Sequence, residues 1–335
     1  MESYLRLGDQ LRAAYDSASG VSIETGAARA VVFCGMGGSA AAGDLVSAAY
    51  ADDVPVPLEI RRGYGLPAWV GRDTVVICLS YSGDTEETLS AYDEAASRGA
   101  HVVAISSGGE LAARAARGGA PHLAVPGDAP QPRAALGSLT GAAIGALVSA
   151  GVLDDAGEHV EQVLADLRGQ LERLGFDVPT ERDRSKQIAS FVGSRIPVIW
   201  GSEGVSWPAA WRWKCAFNEN AKIPAFASAL PELNHHEVVG WTKGHADAFC
   251  LVVLREPGEH PSVQARLDAT LPEIGAADVE VLEVRAEEGR SPLARGLELM
   301  LAGDVASAYH AIERGMDPAP IDAIARVKAR LAEGR

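Results

Sequence analysis

Short apolar runs recur along the chain, each followed within a few positions by an Ala-rich stretch of helical character. Uninterrupted apolar runs of about four to eight residues read as strands buried on both faces, as a parallel sheet requires. In the first half the predicted strands are 30–34 (AVVFC), 55–60 (PVPLEI), 74–79 (TVVICL), 101–105 (HVVAI) and 122–125 (HLAV). Residues 134–175 are rich in Ala, Leu and Glu without strand signals, so helices are expected there. A charged stretch from Glu181 (ERDRSKQ) leads to a second series: 197–200 (PVIW), 249–254 (FCLVVL) and 279–284 (VEVLEV). One closing helix is expected to end near Arg314 and another to span 321–331. Strands alternating with helices predict an α/β fold built on parallel sheets.

The 335 residues are about two domains' worth, and the two halves repeat one order of elements. The expected division is an N-terminal domain over 1–150, a helical linker region over 151–190 and a C-terminal domain over 191–335. Serine-rich turns follow strands in the first half only. That asymmetry predicts a duplication in which one copy binds a ligand and the other supplies different chemistry.

Composition narrows the classes. A hydrophobic fraction of 47% fills ordinary globular cores, and a net charge of -15 argues against non-specific binding to nucleic acid or an anionic membrane. An anionic ligand would have to be drawn by local groups against that field. The cysteines Cys34, Cys78, Cys215 and Cys250 form no CxxC pair and are expected to be reduced thiols of a cytoplasmic protein. The polar, amphipathic N-terminus lacks a signal-peptide core, and no apolar run is long enough to span a bilayer.

Two loops carry candidate chemistry. Gly35, Gly37, Gly38 and Ser39 (GMGGS) sit where the first strand passes into a helix. Glycines allow close backbone approach to an anion, and free N–H groups at a helix start hold it. Ser80, Ser82 and Thr85 (SYSGDT) occupy the matching turn after the third strand, a neutral, donor-rich setting suited to a phosphate monoester. The glycine spacing is not GxGxxG, and no lone acidic residue ends the second strand, which disfavours dinucleotide binding. Either loop alone would be an ordinary capped turn; two matching loops in one sheet favour a phosphate site.

These loops resemble those of sugar isomerase (SIS) domains, which have a flavodoxin-like α/β fold. Asn218–Phe226 (NENAKIPAF) followed by Pro231–Glu237 (PELNHHE) is similar to the signature of the bifunctional phosphoglucose/phosphomannose isomerases, as are Gln131-Pro132-Arg133, Ser307-Ala308-Tyr309 and Gly315-Met316-Asp317-Pro318. The likeness runs from about residue 30 to 330. It implies two SIS domains and isomerisation of glucose 6-phosphate and mannose 6-phosphate with fructose 6-phosphate. It implies no cofactor, and a homodimer with shared sites. By this resemblance Gly38, Ser39, Ser80, Ser82 and Thr85 hold the phosphate, Arg133 sits near the reacting carbons, Glu219 is the base, and His235 opens the ring in the partner's site. Ser307 lies where the family carries a small hydroxyl residue that admits both C2 epimers. His236 stands where the family has Asn, leaving either histidine able to open the ring, and Arg314 falls near an expected lysine.

The chemistry is sound on its own terms. Aldose–ketose isomerisation needs a base between C1 and C2, a proton donor and acceptor for ring opening, and a cation for the enediolate oxygens. A desolvated Glu219, His235 and Arg133 supply these. Taken singly, Glu219 reads as a solvated helix-end carboxylate, His235 as a surface turn residue and Arg133 as a loop residue. Lys222 is the usual cation near a helix C-terminus, and Trp207, Trp211 and Trp213 read as packing. His235, His236, Glu237, His245 and Asp247 match no metal-ligand spacing, so no metal is expected. The alternatives are a non-catalytic sugar-phosphate sensor or regulator, or an isomerase of another sugar phosphate.

Overall fold

The computed structural model describes residues 2–241, 243–244 and 247–333. The first sheet holds β1 (Ala30–Cys34), β2 (Leu58–Arg61), β3 (Thr74–Leu79), β4 (His101–Ser106) and β5 (His122–Ala124), in the order β2-β1-β3-β4-β5. The second holds β6 (Ile196–Ser202), β7 (Phe226–Leu230), β8 (Phe249–Arg255) and β9 (Val281–Arg285), in the order β7-β6-β8-β9. All pairings are parallel. The first order is that of flavodoxin-like sheets, and the second repeats its first four places. The expected α/β fold with two parallel sheets is the one observed.

β7 is an addition to the predicted strands. Its sequence, FASAL, has no β-branched residue, and only Leu230 is buried, so the apolar signal of a two-faced strand is missing at this sheet edge. β2 starts at Leu58 because Pro55 and Pro57 lack the N–H that a ladder uses; Pro57 contributes only its carbonyl, to Val31 N (2.9 Å).

Twelve helices cover the sheets among the described residues: α1 (Glu2–Leu5), α2 (Leu7–Ser19), α3 (Gly37–Ala49), α4 (Glu86–Ser97), α5 (Gly109–Gly118), α6 (Leu136–Ser149), α7 (Gly157–Leu171), α8 (Arg184–Val192), α9 (Ser206–Glu219), α10 (Pro261–Ala276), α11 (Pro292–Glu313) and α12 (Asp322–Glu333). Alternate strand residues face opposite layers. Val31, Phe33, Val75 and Ile77 join Ile199, Val252 and Leu254 in one core, whereas Val32, Cys34, Val76 and Cys78 face α4 and α5. Helix α11 is buried from Leu293 to Ala311 and packs on α3, α7, α8 and α9, so both halves share that central core. No helix among the described residues is long and apolar enough to cross a membrane, and all four cysteines are free.

The junction between halves is pinned at Asp183, which is 0% exposed. Its carboxylate caps α8 by accepting from Ser185 N (2.9 Å) and Lys186 N (3.3 Å), and it accepts from the Tyr309 hydroxyl of α11 (3.1 Å). Asp183→Ala removes a cap and strands a buried phenol, so a loss of about 2–4 kcal/mol is expected. Urea unfolding of this variant beside Asp183→Asn checks it, with the smaller loss expected for Asn.

Candidate active site

In the first sheet the chain turns to opposite sides after β1 and β3, and the crevice between their C-terminal ends is where such sheets take ligands. Both hydroxyl-bearing loops end there. Ser39, buried at the start of α3, accepts from Tyr81 N (3.3 Å), which ties the first loop to the second. Ser80 donates to Thr85 Oγ1 (2.9 Å) and accepts from Gly83 N (3.1 Å); exposed Ser82 accepts from Asp84 N (3.3 Å). Gly83, at φ +78°, lies so close to the next loop that a Cβ would stand 1.9 Å from Gly108 O. The second loop is thereby held between two turns rather than free to collapse.

Gly38 brings this crevice to the second half. A Cβ on it would meet Arg133 Cα at 3.2 Å and Pro132 O at 3.3 Å. Arg133, on the turn Pro132–Ala135, is buried, and its guanidinium spans the chain. Nε donates to Asn220 Oδ1 (2.7 Å), Nη1 to Glu219 Oε2 (3.2 Å), and Nη2 to the carbonyls of Pro318 (2.9 Å) and Ala319 (3.0 Å). Of the five N–H groups of an arginine, one on Nη1 is left beside Glu219.

Glu219 is the last residue of α9, and its side chain is 28% exposed, so it is ion-paired and half-open rather than sealed among apolar groups. A slot of about 20 Å³ between Gly37, Gly38, Arg133, Trp211 and Glu219 has room for one water; the other side of Glu219 opens on a groove of about 410 Å³ lined by Asn218, Lys222, Pro320 and Ile321. A larger cleft of about 930 Å³ touches Thr85 and is lined by five carboxylates (Asp84, Glu86, Glu87, Asp93 and Glu94) against two cations, Arg114 and Lys328, a balance unfavourable to phosphate.

Three further groups support the cluster. Arg212 and Asp304, both buried, form an ion pair with two contacts (2.6 and 3.0 Å), and Arg212 also donates to Arg133 O (2.7 Å). Burial pushes the Asp304 carboxyl upward, and Arg212 opposes that shift. Lys222, in left-handed backbone at φ 57°, donates to the carbonyls of Glu219, Pro318 (3.1 Å) and Pro320 (2.6 Å). Burial, then Arg133, hold its ammonium below the ordinary lysine value. Asn220 donates to Ser307 Oγ (2.9 Å) and Tyr4 OH (3.2 Å); burial, with Asp304, pushes the Tyr4 phenol up to about 12.

The structure therefore joins Arg133, Glu219 and Ser307 through Asn220, and Ser39, Ser80 and Thr85 through the loops. His235 and His236 are exposed beyond β7; His235 has no side-chain partner among the described residues, and His236 lies 3.9 Å from Glu232. Arg314 is exposed past the end of α11. Among the described residues no three His, Cys, Asp or Glu side chains are grouped to hold a metal, and His245 lies outside those residues. Sequence reading gave Lys222 no firm role and passed over Asn220, Tyr4, Arg212 and Asp304. Asn220 and Lys222 lie within the NENAK string; the other three carry no local signal and meet only through α1, α9 and α11.

The second sheet has loops in the corresponding places, filled by the protein itself. Glu256, after β8, accepts from Val205 N (2.8 Å) and Ser206 N (3.1 Å) at the start of α9, and lies 3.3 Å from Arg295.

Paired flavodoxin-like sheets with a hydroxyl-lined crevice on one of them define a double-SIS protein. The family model of the bacterial phospho-glucose isomerase C-terminal SIS domain matches residues 181–331. The chain is 36% identical to a bifunctional phosphoglucose/phosphomannose isomerase of Caldicellulosiruptor bescii, covering 99% of this chain and 98% of that protein. It is 35% identical to one of Aquifex aeolicus over 90% of each. A solved hypothetical protein of Thermus thermophilus shares the fold at TM-score 0.72 and 18% identity, covering 99% of this chain and 90% of that one. The chain belongs to the bifunctional phosphoglucose/phosphomannose isomerase family and is an intramolecular oxidoreductase.

Asp304→Asn should cost about 3–5 kcal/mol, because it leaves Arg212 buried without its counter-charge. Urea midpoints check this, and Arg212→Met combined with Asp304→Leu should recover part of the loss.

Proposed function

We propose that the protein interconverts glucose 6-phosphate and mannose 6-phosphate with fructose 6-phosphate by proton transfer without a metal. The observation that carries this reading is the 3.2 Å contact between Arg133 Nη1 and Glu219 Oε2, which sets a guanidinium beside an acid–base side chain at the rim of the hydroxyl-bearing loops. Gly38, Ser39, Ser80, Ser82 and Thr85 hold the phosphate through neutral donors. Glu219 takes the proton from C2 of the open-chain aldose, and the C2–H electron pair forms the C1–C2 double bond of an enediolate. Arg133 stabilises the oxyanion with its remaining N–H. Return of the proton to C1, with transfer of the C2 hydroxyl proton to O1, turns the C1–C2 double bond into the C2 carbonyl and gives the ketose. Glucose and mannose 6-phosphate give the same enediolate because C2 is planar in it.

Ring opening is assigned to His235. Its exposure, and its separation from the Glu219 cluster, fit a histidine that serves the site of a second copy in a homodimer. The four free thiols fit a reducing, cytoplasmic setting.

EDTA-treated protein should turn over both aldoses to fructose 6-phosphate, and Glu219→Gln should lower kcat by about 10²–10⁴-fold. Loss of activity on EDTA treatment would remove the metal-free route. Turnover of glucose 6-phosphate alone would remove the mannose assignment. Tight binding of both sugars without turnover would favour a sensor. In a separate assay, Ser80→Ala with Thr85→Val should raise KM for both sugars with kcat changed less, since both hydroxyls are assigned to phosphate rather than to the reacting carbons.

A further inference from the structure

Ser307 is the residue to which admission of both C2 epimers was assigned by resemblance, yet it is 0% exposed. Its hydroxyl is committed: it donates to Asp304 O (2.8 Å) and accepts from Asn220 Nδ2 (2.9 Å). Asn220 is 1% exposed and faces both ways. Its amide nitrogen reaches Ser307 (2.9 Å), Tyr4 (3.2 Å) and, at the longer 3.5 Å, the Asp304 carbonyl, while its amide oxygen takes the Nε hydrogen of Arg133 at 2.7 Å. A line of short hydrogen bonds thus runs from Asp304 through Ser307 and Asn220 to the guanidinium that meets Glu219.

We propose that Asn220 is a positioning residue for the isomerisation, and that Ser307 acts on the sugar through Asn220 and Arg133 rather than by touching it. The inference rests on the reaction assigned above. Its physical basis is the geometry of the fork. Arginine has a long side chain whose planar end can pivot, and the carbonyls of Pro318 and Ala319 hold only the Nη2 corner. The Asn220 oxygen fixes the Nε corner, and two fixed corners set the direction of Nη1. Ser307 fixes the amide in turn, since the Nδ2 hydrogens determine which way the oxygen points. A small hydroxyl at 307 then matters for where Nη1 meets O1 and O2 of the enediolate, which is how it would bear on both epimers.

The test is steady-state kinetics on both aldoses with unaltered protein, Asn220→Ala, Ser307→Ala, the double variant and Asn220→Asp, each with its thermal midpoint. Misplacing the cation by about 1 Å is expected to lower kcat by about 10²-fold in Asn220→Ala, with KM within about threefold because the phosphate loops are untouched. Ser307→Ala should lose less, and the double variant should lose no more than Asn220→Ala alone. Asn220→Asp keeps an acceptor for Nε and a second oxygen to which the Tyr4 hydroxyl can turn, so it should regain part of the lost kcat. If alanine at 220 prevents folding, Asn220→Ser takes its place with the same outcomes, because its short hydroxyl cannot span from Ser307 to Arg133. Multiplying losses in the double variant, or unchanged kcat in Asn220→Ala, would overturn the coupling while leaving the reaction assignment intact. Absence of turnover in the unaltered protein would overturn both.

Discussion

A guanidinium taken out of water must find hydrogen-bond acceptors in every direction it points, and most of this molecule's long-range organisation follows from where Arg133 finds them. Its partners come from the end of α9, from the residue after it, and from the 318–320 segment beyond α11, while its own carbonyl is held by Arg212. These are elements of the second half converging on a residue of the first. Separating the halves would strip Arg133 of all four of its side-chain acceptors and Arg212 of the Arg133 carbonyl, so their relative placement is enforced by polar contacts as well as by the shared apolar core. The α9 terminus, which carries Glu219, is thereby brought to the rim of the hydroxyl loops.

The two sheets repeat one topology but treat their crevices differently. In the first, the loops present the hydroxyls of Ser39, Ser80, Ser82 and Thr85, bound to one another or to the loop backbone. In the second, the Glu256 carboxylate sits on the N–H groups of Val205 and Ser206, where an anion would otherwise bind. Burial pushes that carboxyl upward and the Ser206 N–H opposes it. A helix start that carries its own carboxylate has these N–H groups satisfied without a ligand and is closed to an external anion. With its start filled in this way, α9 presents its other end, with Glu219, to the crevice of the first sheet.

The fold was legible where burial is two-faced. β1 and β3 match their predicted limits because every residue in each is apolar or inward-facing, a pattern that survives without knowledge of neighbours. β7 was illegible because an edge strand of small residues has the composition of a loop. At the site, the hydroxyl loops were readable from turn chemistry, and Glu219 and Arg133 from likeness to a family. Asn220 stands in the same string as Glu219, but its importance depends on Ser307, which is 87 residues away, and on Tyr4, which is 216 residues away. Arg212 and Asp304 look in sequence like the polar face of an amphipathic helix; only the packing of α9 on α11 turns them inward.

Charge gives the last constraint. With a net charge of -15 the overall field opposes an anion at a distance, and the cleft of about 930 Å³ beside Thr85 carries five carboxylates against two cations. Binding by a lysine-rich surface would be the simple remedy, yet the loops offer only hydroxyls and backbone N–H groups. Neutral donors of this kind act at contact range, and they do not compete with Arg133 for the Glu219 carboxylate. The cations are instead spent on structure: Arg212 on Asp304, Lys222 on three carbonyls, and Arg133 on four acceptors with a single N–H left over. A cluster built this way does little to draw an anion from afar, and the guanidinium beside Glu219 has little freedom to move, because four acceptors hold it.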